Sequence, residues 1–304
     1  MPAMRVVLVG GCGFVGRRTA RMLRASGVDV VNVGHVPAGV EPGPESIECE
    51  LTDAQDVLRA AEAVGAADAI VWLAANIAHE YGVVASVAAR DLRVMVQSPM
   101  EFLHAMIERG RKPAAFVFIS SVQVYGKPVR MPVAEDHPTD PFTAYGVAKL
   151  YAEKVLKLFC RENRVVFTAL RPAFIYGPGQ HGTNALPKFI ERVRGGQPPL
   201  LNGDGTDVRD DVHVDDVAFA IQCALEKKRE GVYNVSSGKG HTLRDIADAV
   251  CALGGGLVEP EFTGNPSNWV NRWYSIEHAR AELGYAPRKT FEEGVAELWA
   301  LAQK

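Results

Sequence analysis

Short apolar runs alternate with longer amphipathic stretches over the first part of the chain. The runs are Val6–Val9, Val28–Val33, Ser46–Cys49, Ala69–Leu73, Ala115–Ile119 and Val165–Leu170. The segments between them show helical periodicity, for example Arg17–Ala25 and Ala54–Ala63. Apolar strands that alternate with helices predict an α/β protein built on a doubly wound parallel sheet.

The pattern changes after about residue 175. Glycine and proline cluster near residues 177–179, 195–199 and 203–205, and the predicted helices become short. These helices are Asn184–Val193, Val214–Glu226, Leu243–Ala252, Ile276–Leu283 and Glu292–Ala302. We therefore assign residues 1–175 to the sheet domain and residues 176–304 mostly to a smaller lobe.

The first predicted strand leads into a glycine-rich turn and then into a helix. The run Gly10-Gly-Cys-Gly-Phe-Val-Gly16 has glycines at positions 10, 11, 13 and 16. Such a turn lets the backbone approach a pyrophosphate, which rests on the amino terminus of the helix. The motif predicts a dinucleotide site.

Two further motifs carry candidate chemistry. Ser120 and Ser121 follow the apolar run that ends at Ile119, so a hydroxyl is expected at the carboxyl edge of the sheet. Tyr145 and Lys149 are four residues apart, on one face of a helix, where an ammonium lowers the pKa of a phenol. The alternatives are a capping serine and an ordinary surface pair.

Taken together, the motifs resemble the extended short-chain dehydrogenase/reductase family, in its NAD(P)-dependent sugar-nucleotide epimerase/dehydratase branch. Six blocks occur in the order that the family shows. They are Gly10–Gly16, Ser120–Gly126, Tyr145–Lys149, Arg171–Gly179, Arg209–Val217 and Leu283–Pro287. The resemblance covers nearly the whole chain and implies a Rossmann-like domain with a C-terminal substrate-binding lobe, part of whose chain returns to the large domain.

The resemblance also implies roles for individual residues. Tyr145 is expected to be the catalytic acid/base, Lys149 to lower its pKa, and Ser121 to hydrogen-bond the reacting oxygen. The expected cofactor-binding residues are Gly10, Gly13, Phe14, Val15, Gly16, Gly34, His35, Leu73, Ala74, Ala75, Tyr145 and Lys149. The expected substrate-binding residues are Ser121, Asn184, Arg209 and Arg272, with Arg209 on the diphosphate of a sugar nucleotide.

The chain departs from the family pattern at several positions. Where dehydratases and decarboxylases of the family have an acid, this chain has Gln123, and an amide cannot donate the proton for water elimination. Phe174 replaces a common Asn, and Asp211 replaces a common aromatic residue. Because Gln123 disfavours dehydration and decarboxylation, we expect a sugar-nucleotide epimerase; the alternatives are an NADPH-dependent keto-sugar reductase and a non-catalytic NAD(P)-binding regulatory protein.

The end of the second strand bears on the choice of cofactor. NAD-preferring members place an acid there for the ribose 2′-hydroxyl, and in this chain the position is Gly34, followed by His35. The missing acid removes a charge that would repel a 2′-phosphate, and no arginine adjoins it. The sequence favours NADP over NAD on this ground.

Composition narrows the class of protein. The 304 residues are 47% hydrophobic and 23% charged, with a net charge of −3. The sequence has no basic stripe, so we do not expect a nucleic-acid partner. No apolar run approaches the ~18 residues of a membrane span, and no signal peptide is evident. The five cysteines lack metal-ligand spacing, so no metal is expected. We expect a cytoplasmic homodimer that acts on a small molecule.

Overall fold

A computed structural model describes residues 3–37, 39, 43, 45–75, 84–180, 185–267 and 269–302. Its strands are β1 Arg5–Val9, β2 Asp29–Val33, β3 Ser46–Ile47, β4 Ala69–Trp72, β5 Ala115–Ile119, β6 Val166–Pro172, β7 Phe174–Tyr176, β8 Leu200–Leu201, β9 Val208–Arg209, β10 Asp211–His213, β11 Gly231–Val235, β12 His241–Thr242 and β13 Glu261–Phe262. Its α-helices are α1 Phe14–Ala25, α2 Ala54–Ala63, α3 Ala85–Leu92, α4 Ser98–Glu108, α5 Ala144–Glu162, α6 Ala185–Arg194, α7 Val214–Lys227, α8 Leu243–Leu253, α9 Glu277–Leu283 and α10 Phe291–Leu301.

Seven strands form the main sheet, in the order β11-β6-β5-β4-β1-β2-β3. Every pair of neighbouring strands in this sheet is parallel. Because β1 lies between β2 and β4, the chain reverses its direction of winding next to β1, which is where open α/β sheets bind ligands. The predicted doubly wound parallel sheet is confirmed.

Buried side chains on both faces of the sheet form the main core. One face includes Val6, Leu8 and Val117, and the other includes Val7, Ile70 and Phe116. Alternate residues of each strand therefore enter opposite cores, which explains why the strands are almost wholly apolar in sequence.

The chain enters a smaller lobe after β7 and then returns to the main sheet. Helices α6, α8 and α10 share a separate apolar core that contains Phe189, Ile246 and Val295. Strand β11 pairs with β6, so residues 231–235 belong to the main sheet. This strand was not predicted, because a five-residue run beside a glycine carries little periodicity.

Hydrogen-bonding side chains define where key helices begin. Thr143 caps α5 by accepting a hydrogen bond from the Gly146 amide, and Thr290 and Glu293 form a capping box on α10. Across the described segments, no helix combines the length and the apolar character needed to span a bilayer.

Candidate active site

The glycine-rich turn between β1 and α1 forms a cradle of bare backbone. Gly10 has φ of +88°, a conformation that favours glycine. A Cβ on Gly16 would lie 2.3 Å from the Gly10 carbonyl oxygen, so the turn closes only around a glycine. Gly13 precedes α1 without a side-chain cap, which leaves the first amides of the helix available to an anion. These features fit the pyrophosphate of a dinucleotide.

Two neighbouring strand ends border this turn. The amides of Leu73 and Ala74 donate to the Val9 carbonyl oxygen at 2.8 and 3.1 Å. Gly34 has φ of +128°, and a Cβ built there would lie 3.5 Å from the Gly10 nitrogen. The structure thus places Gly10, Gly16, Gly34, Leu73 and Ala74 at one edge of the sheet. Their role in cofactor binding stays a prediction.

Ser121, Tyr145 and Lys149 meet beyond the end of β5. Ser121 is hydrogen-bonded to the Tyr145 side chain and also accepts from the Gln123 amide at 3.2 Å, where it caps a short 3₁₀ turn, Val122–Tyr125. The Lys149 ammonium lies 5.5 Å from the centre of the Tyr145 ring. Ser121 therefore serves as a turn cap and also contacts the candidate acid/base.

The Tyr145 side chain does not have the depressed pKa that the sequence predicted. Its pKa is raised above the ordinary value, first because burial disfavours the phenolate and second because Asp91 is a nearby negative charge. The hydrogen bond with Ser121 opposes these effects only in part. Tyr145 therefore holds its proton at neutral pH in this state, so its phenol is ready to act as an acid.

Lys149 is buried, with about 1% of its surface exposed. Its ammonium donates a hydrogen bond of 2.6 Å to the Ile119 carbonyl oxygen and lies 4.8 Å from the Phe118 ring. Burial lowers the pKa of Lys149 to about 7, although Glu153 and Asp91 both act to raise it. Lys149 is thus poised to change charge near neutral pH.

A buried polar network supports this group from below. Arg171 donates to Glu153 through Nε at 2.9 Å and through Nη2 at 2.6 Å, and Ser120 donates to the same carboxylate. The Arg171 guanidinium also covers the Tyr125 ring at 4.7 Å. Because each charge has a partner, the network fixes the end of β5 against α5 without leaving an unpaired ion.

Gln123 joins the serine turn to the helix that carries Tyr145. Its Oε1 accepts a hydrogen bond of 2.9 Å from the Thr143 hydroxyl, and Thr143 caps α5. The amide therefore aligns two elements of the site.

Arg209 and Arg272 lie together on an aromatic wall formed by Phe174 and Trp269. The Arg209 guanidinium lies 5.0 Å from the Phe174 ring and 5.5 Å from the Trp269 ring, and Arg272 lies 5.6 Å from both. Asp211 accepts two hydrogen bonds from Arg209, at 2.8 and 2.6 Å. The two predicted substrate-binding arginines are therefore neighbours, whereas Asn184 lies outside the described residues.

Two acidic residues near the site were not predicted from the sequence. Glu48 follows β3, and its carboxylate lies 3.9 Å from Nδ1 of His35. Asp91 lies on α3, is buried, and acts on the pKa values of both Tyr145 and Lys149. Glu48 could have been found from the pairing of β2 with β3, but the position of Asp91 depends on how α3 packs.

The sequence and the fold are similar to those of known proteins. The family model described as the NAD dependent epimerase/dehydratase family matches residues 6–236. The chain belongs to this family. It is 28% identical to a putative UDP-glucose 4-epimerase of Methanocaldococcus jannaschii over 300 residues, which cover 95% of each chain.

Solved structures agree with this assignment. A UDP-glucose 4-epimerase of Thermotoga maritima, crystallised with UDP-glucose, superposes with a TM-score of 0.87 at 27% identity over 99% of both chains. A Thermus thermophilus UDP-glucose 4-epimerase in complex with NAD superposes with a TM-score of 0.82 at 29% identity over 98% of both chains.

The family membership makes this protein an NAD(P)-dependent enzyme of the epimerase/oxidoreductase type. The resemblance and the fold predicted from the sequence are confirmed. The expected preference for NADP gains no support, since the family is described by NAD and the Thermus relative holds NAD.

One group in the described part of the chain has the geometry of metal ligands. It consists of His213, Asp215 and Glu297, whose ligand atoms lie within 4.8 Å of one another. Arg18 lies 3.5 Å from Asp215, and Lys289 contacts Glu297. These cations already balance the carboxylates, so the group is an ion-pair cluster between helices, and the absence of a metal stays a prediction.

The pKa of Lys149 predicts a pH-dependent stability. Between pH 7 and the usual lysine value of 10.5, the unfolded chain binds a proton that the folded chain lacks, so raising the pH favours the folded state. Relative to Lys149→Met, the free energy of unfolding of the wild type should rise by up to about 1.4 kcal/mol per pH unit in this window.

Urea unfolding at several pH values measures this difference. Lys154→Met, which removes an exposed lysine from the same helix, is the control. Its free energy of unfolding should depend on pH in the same way as that of the wild type. If the free energy of unfolding of Lys149→Met also has the same pH dependence as that of the wild type, Lys149 keeps its proton in the folded state between pH 7 and 10.5, and the prediction is wrong.

Proposed function

We propose that this protein is a nucleotide-sugar epimerase that inverts one carbon of the sugar by oxidising its hydroxyl and then reducing the ketone from the other face. The observation that carries the proposal is the position of Ser121, Tyr145 and Lys149 at the same sheet edge as the glycine cradle. A bound dinucleotide would accept the hydride and return it. A nucleotide-sugar substrate is supported by the relative that was crystallised with UDP-glucose.

The side chains divide the proton chemistry among themselves. As the phenolate, Tyr145 takes the proton of the sugar hydroxyl during oxidation, and as the resulting phenol it returns that proton to the ketone oxygen during reduction. Ser121 donates a hydrogen bond to the reacting oxygen and stabilises the charge that develops on it. Lys149, when protonated, favours the phenolate form of Tyr145 and so offsets the effect of burial.

Gln123 supports epimerisation rather than dehydration. Water elimination needs a proton donor beside the leaving hydroxyl, and a neutral amide does not provide one. Here the carbonyl oxygen of Gln123 already accepts the Thr143 hydroxyl. The reaction is therefore confined to hydride and proton exchange at one carbon.

Tyr145→Phe should reduce turnover by about 10²–10⁴ and leave cofactor binding intact, because only the proton shuttle is lost. The assay supplies nucleotide sugars and follows epimerised product together with cofactor absorbance. Tyr151→Phe, at an exposed position of the same helix, is the control.

The cofactor readout separates the alternatives. An epimerase forms product without net consumption of cofactor, whereas a keto-sugar reductase oxidises one NADPH for each product. A regulatory protein would bind the cofactor and turn over nothing. Full activity of Tyr145→Phe on an authentic substrate would contradict the role of Tyr145.

Glu48 supports NAD as the cofactor. Strand β3 pairs with β2, and the Gly34 amide donates to the Ile47 carbonyl oxygen at 3.0 Å, so Glu48 lies beside the strand end that lacks an acid. Its carboxylate can accept a ribose hydroxyl and repels a 2′-phosphate. The neighbouring strand thus supplies the charge that β2 lacks.

Glu48→Gln should therefore narrow the preference for NAD over NADP, by roughly tenfold if the charge lies close to the 2′ position. Titration of the purified protein with both cofactors measures the ratio of their dissociation constants. Glu62→Gln, an exposed acid on α2, is the control. If the ratio of the two dissociation constants is unchanged, Glu48 does not contribute to the choice between NAD and NADP.

An exposed apolar surface supports a homodimer. Helix α5 presents Val147, Tyr151 and Leu158 to solvent, each with about half of its side chain exposed. Leu92 at the end of α3 and Phe142 before α5 extend this surface, which we call the α5 face. Apolar residues at helical spacing on one outer face suit a twofold contact with a second copy of the chain.

Val147→Glu should convert the dimer to a monomer, because pairing about a twofold axis would bury two like charges. Sedimentation or light scattering gives the molecular mass. Leu257→Glu, at an exposed residue outside this face, should leave the mass unchanged. A wild-type monomer would refute the proposal directly.

A further inference from the structure

A pair of charged side chains joins the small lobe to the helix that begins at the glycine cradle. Glu297 lies on α10, which also contributes Phe291 and Val295 to the core of the small lobe. Its Oε1 lies 3.7 Å from Nη2 of Arg18, which is in the second turn of α1. Among the described residues, this is the one ion pair between α1 and a helix of the small lobe.

Arg18 is held in place by a second carboxylate. Its Nε lies 3.5 Å from Oδ1 of Asp215, in the first turn of α7, and α1 packs against α7. The guanidinium is therefore shared between two carboxylates on different helices. A network of this kind can contribute where an isolated surface ion pair contributes little.

Glu297 faces two further donors. Lys289, just before α10, contacts Glu297 Oε2, and Nε2 of the buried His213 lies 3.5 Å from the same oxygen. Because His213 Nδ1 accepts a hydrogen bond from the Asp215 amide, the proton of the neutral ring is on Nε2. Within the described segments this donor has no acceptor. A shift of about 0.5 Å would bring Glu297 to hydrogen-bonding distance, so the contact can tighten.

The beginning of α1 is the part of the helix that a dinucleotide would contact. A pyrophosphate on the first amides would fix the first turn, and Arg18 lies one turn beyond Phe14, where the helix begins. A ligand that restrains Arg18 also restrains Glu297. Ordering one element lowers the entropic cost of ordering the element joined to it.

We propose that Arg18 and Glu297 are positioning residues that transmit the binding of the dinucleotide to the small lobe, which is thereby stabilised before the nucleotide sugar binds. Asp215, Lys289 and His213 hold the two charges in place. The order of binding rests on the nucleotide-sugar function proposed above, whereas the coupling between α1 and α10 does not.

Hydrogen exchange followed by mass spectrometry tests the coupling without any substrate. NAD added to the wild type should slow amide exchange in α1 and, by about two- to fivefold, in α10, the range that a partly exposed charge network allows. In Glu297→Gln and in Arg18→Gln, NAD should still slow exchange in α1, whereas its effect on α10 should be lost. A merely structural ion pair would change the exchange of α10 equally with and without NAD.

Two comparisons isolate the contact. Glu292→Gln removes an exposed acid from the same helix and should behave like the wild type. The double variant Arg18→Gln/Glu297→Gln should match either single variant, because two residues that act through one contact are not additive. Thermal unfolding of each variant verifies that the fold is intact.

The order of binding has a separate test. In calorimetric titrations, the wild type should bind UDP about two- to fivefold more tightly with saturating NAD than without it, and Glu297→Gln should bind UDP equally in both conditions. If the wild type does not bind UDP, the order of binding falls with the nucleotide-sugar function. The exchange experiment still decides the coupling between the two helices.

Persistent protection of α10 by NAD in both single variants would overturn the inference, because the effect would then bypass the pair. Protection of α1 without any change in α10 of the wild type would overturn it as well. If neither NAD nor NADP changes the exchange of α1, the cofactor site on the cradle and the inference fail together.

Discussion

The hydrogen bond between the Lys149 ammonium and the Ile119 carbonyl oxygen joins the two halves of the candidate active site. Ile119 ends β5 at the carboxyl edge of the sheet, and Lys149 lies on the buried face of α5. By fixing these elements together, the bond sets where Ser121 and Tyr145 can meet. When Lys149 is protonated, the bond also holds a positive charge among buried groups, where its effect on its neighbours is large.

The same burial that creates the site makes it electrostatically demanding. Tyr145 has its pKa raised, and Lys149 has its pKa lowered, because each charged form loses solvation. Glu153 and Asp91 oppose the loss of the lysine proton, and Arg171 balances Glu153. The protonation states of Tyr145 and Lys149 therefore depend on the buried charged residues next to them.

Different physical constraints act at the two ends of the candidate cleft. The Phe174 ring lies 5.0 Å from the Arg209 guanidinium, and Asp211 accepts hydrogen bonds from it. The cofactor end keeps its glycine cradle, because a Cβ at Gly16 would collide with the Gly10 carbonyl oxygen. Steric constraint therefore determines the residues of the glycine cradle, whereas charge pairing determines the orientation of Arg209 at the other end.

The sequence by itself determined the parallel sheet and the glycine-rich turn, because strand periodicity and backbone freedom are local properties. It also predicted the candidate serine, tyrosine and lysine, through short motifs that resemble those of the family. Only the tertiary structure decided the raised pKa of Tyr145, since burial and the charge of Asp91 depend on how α3 packs on α5. It also placed Glu48 beside Gly34 and Asp211 on Arg209. These contacts join different strands, and the sheet order and side-chain packing that create them are not encoded in any short stretch of the chain.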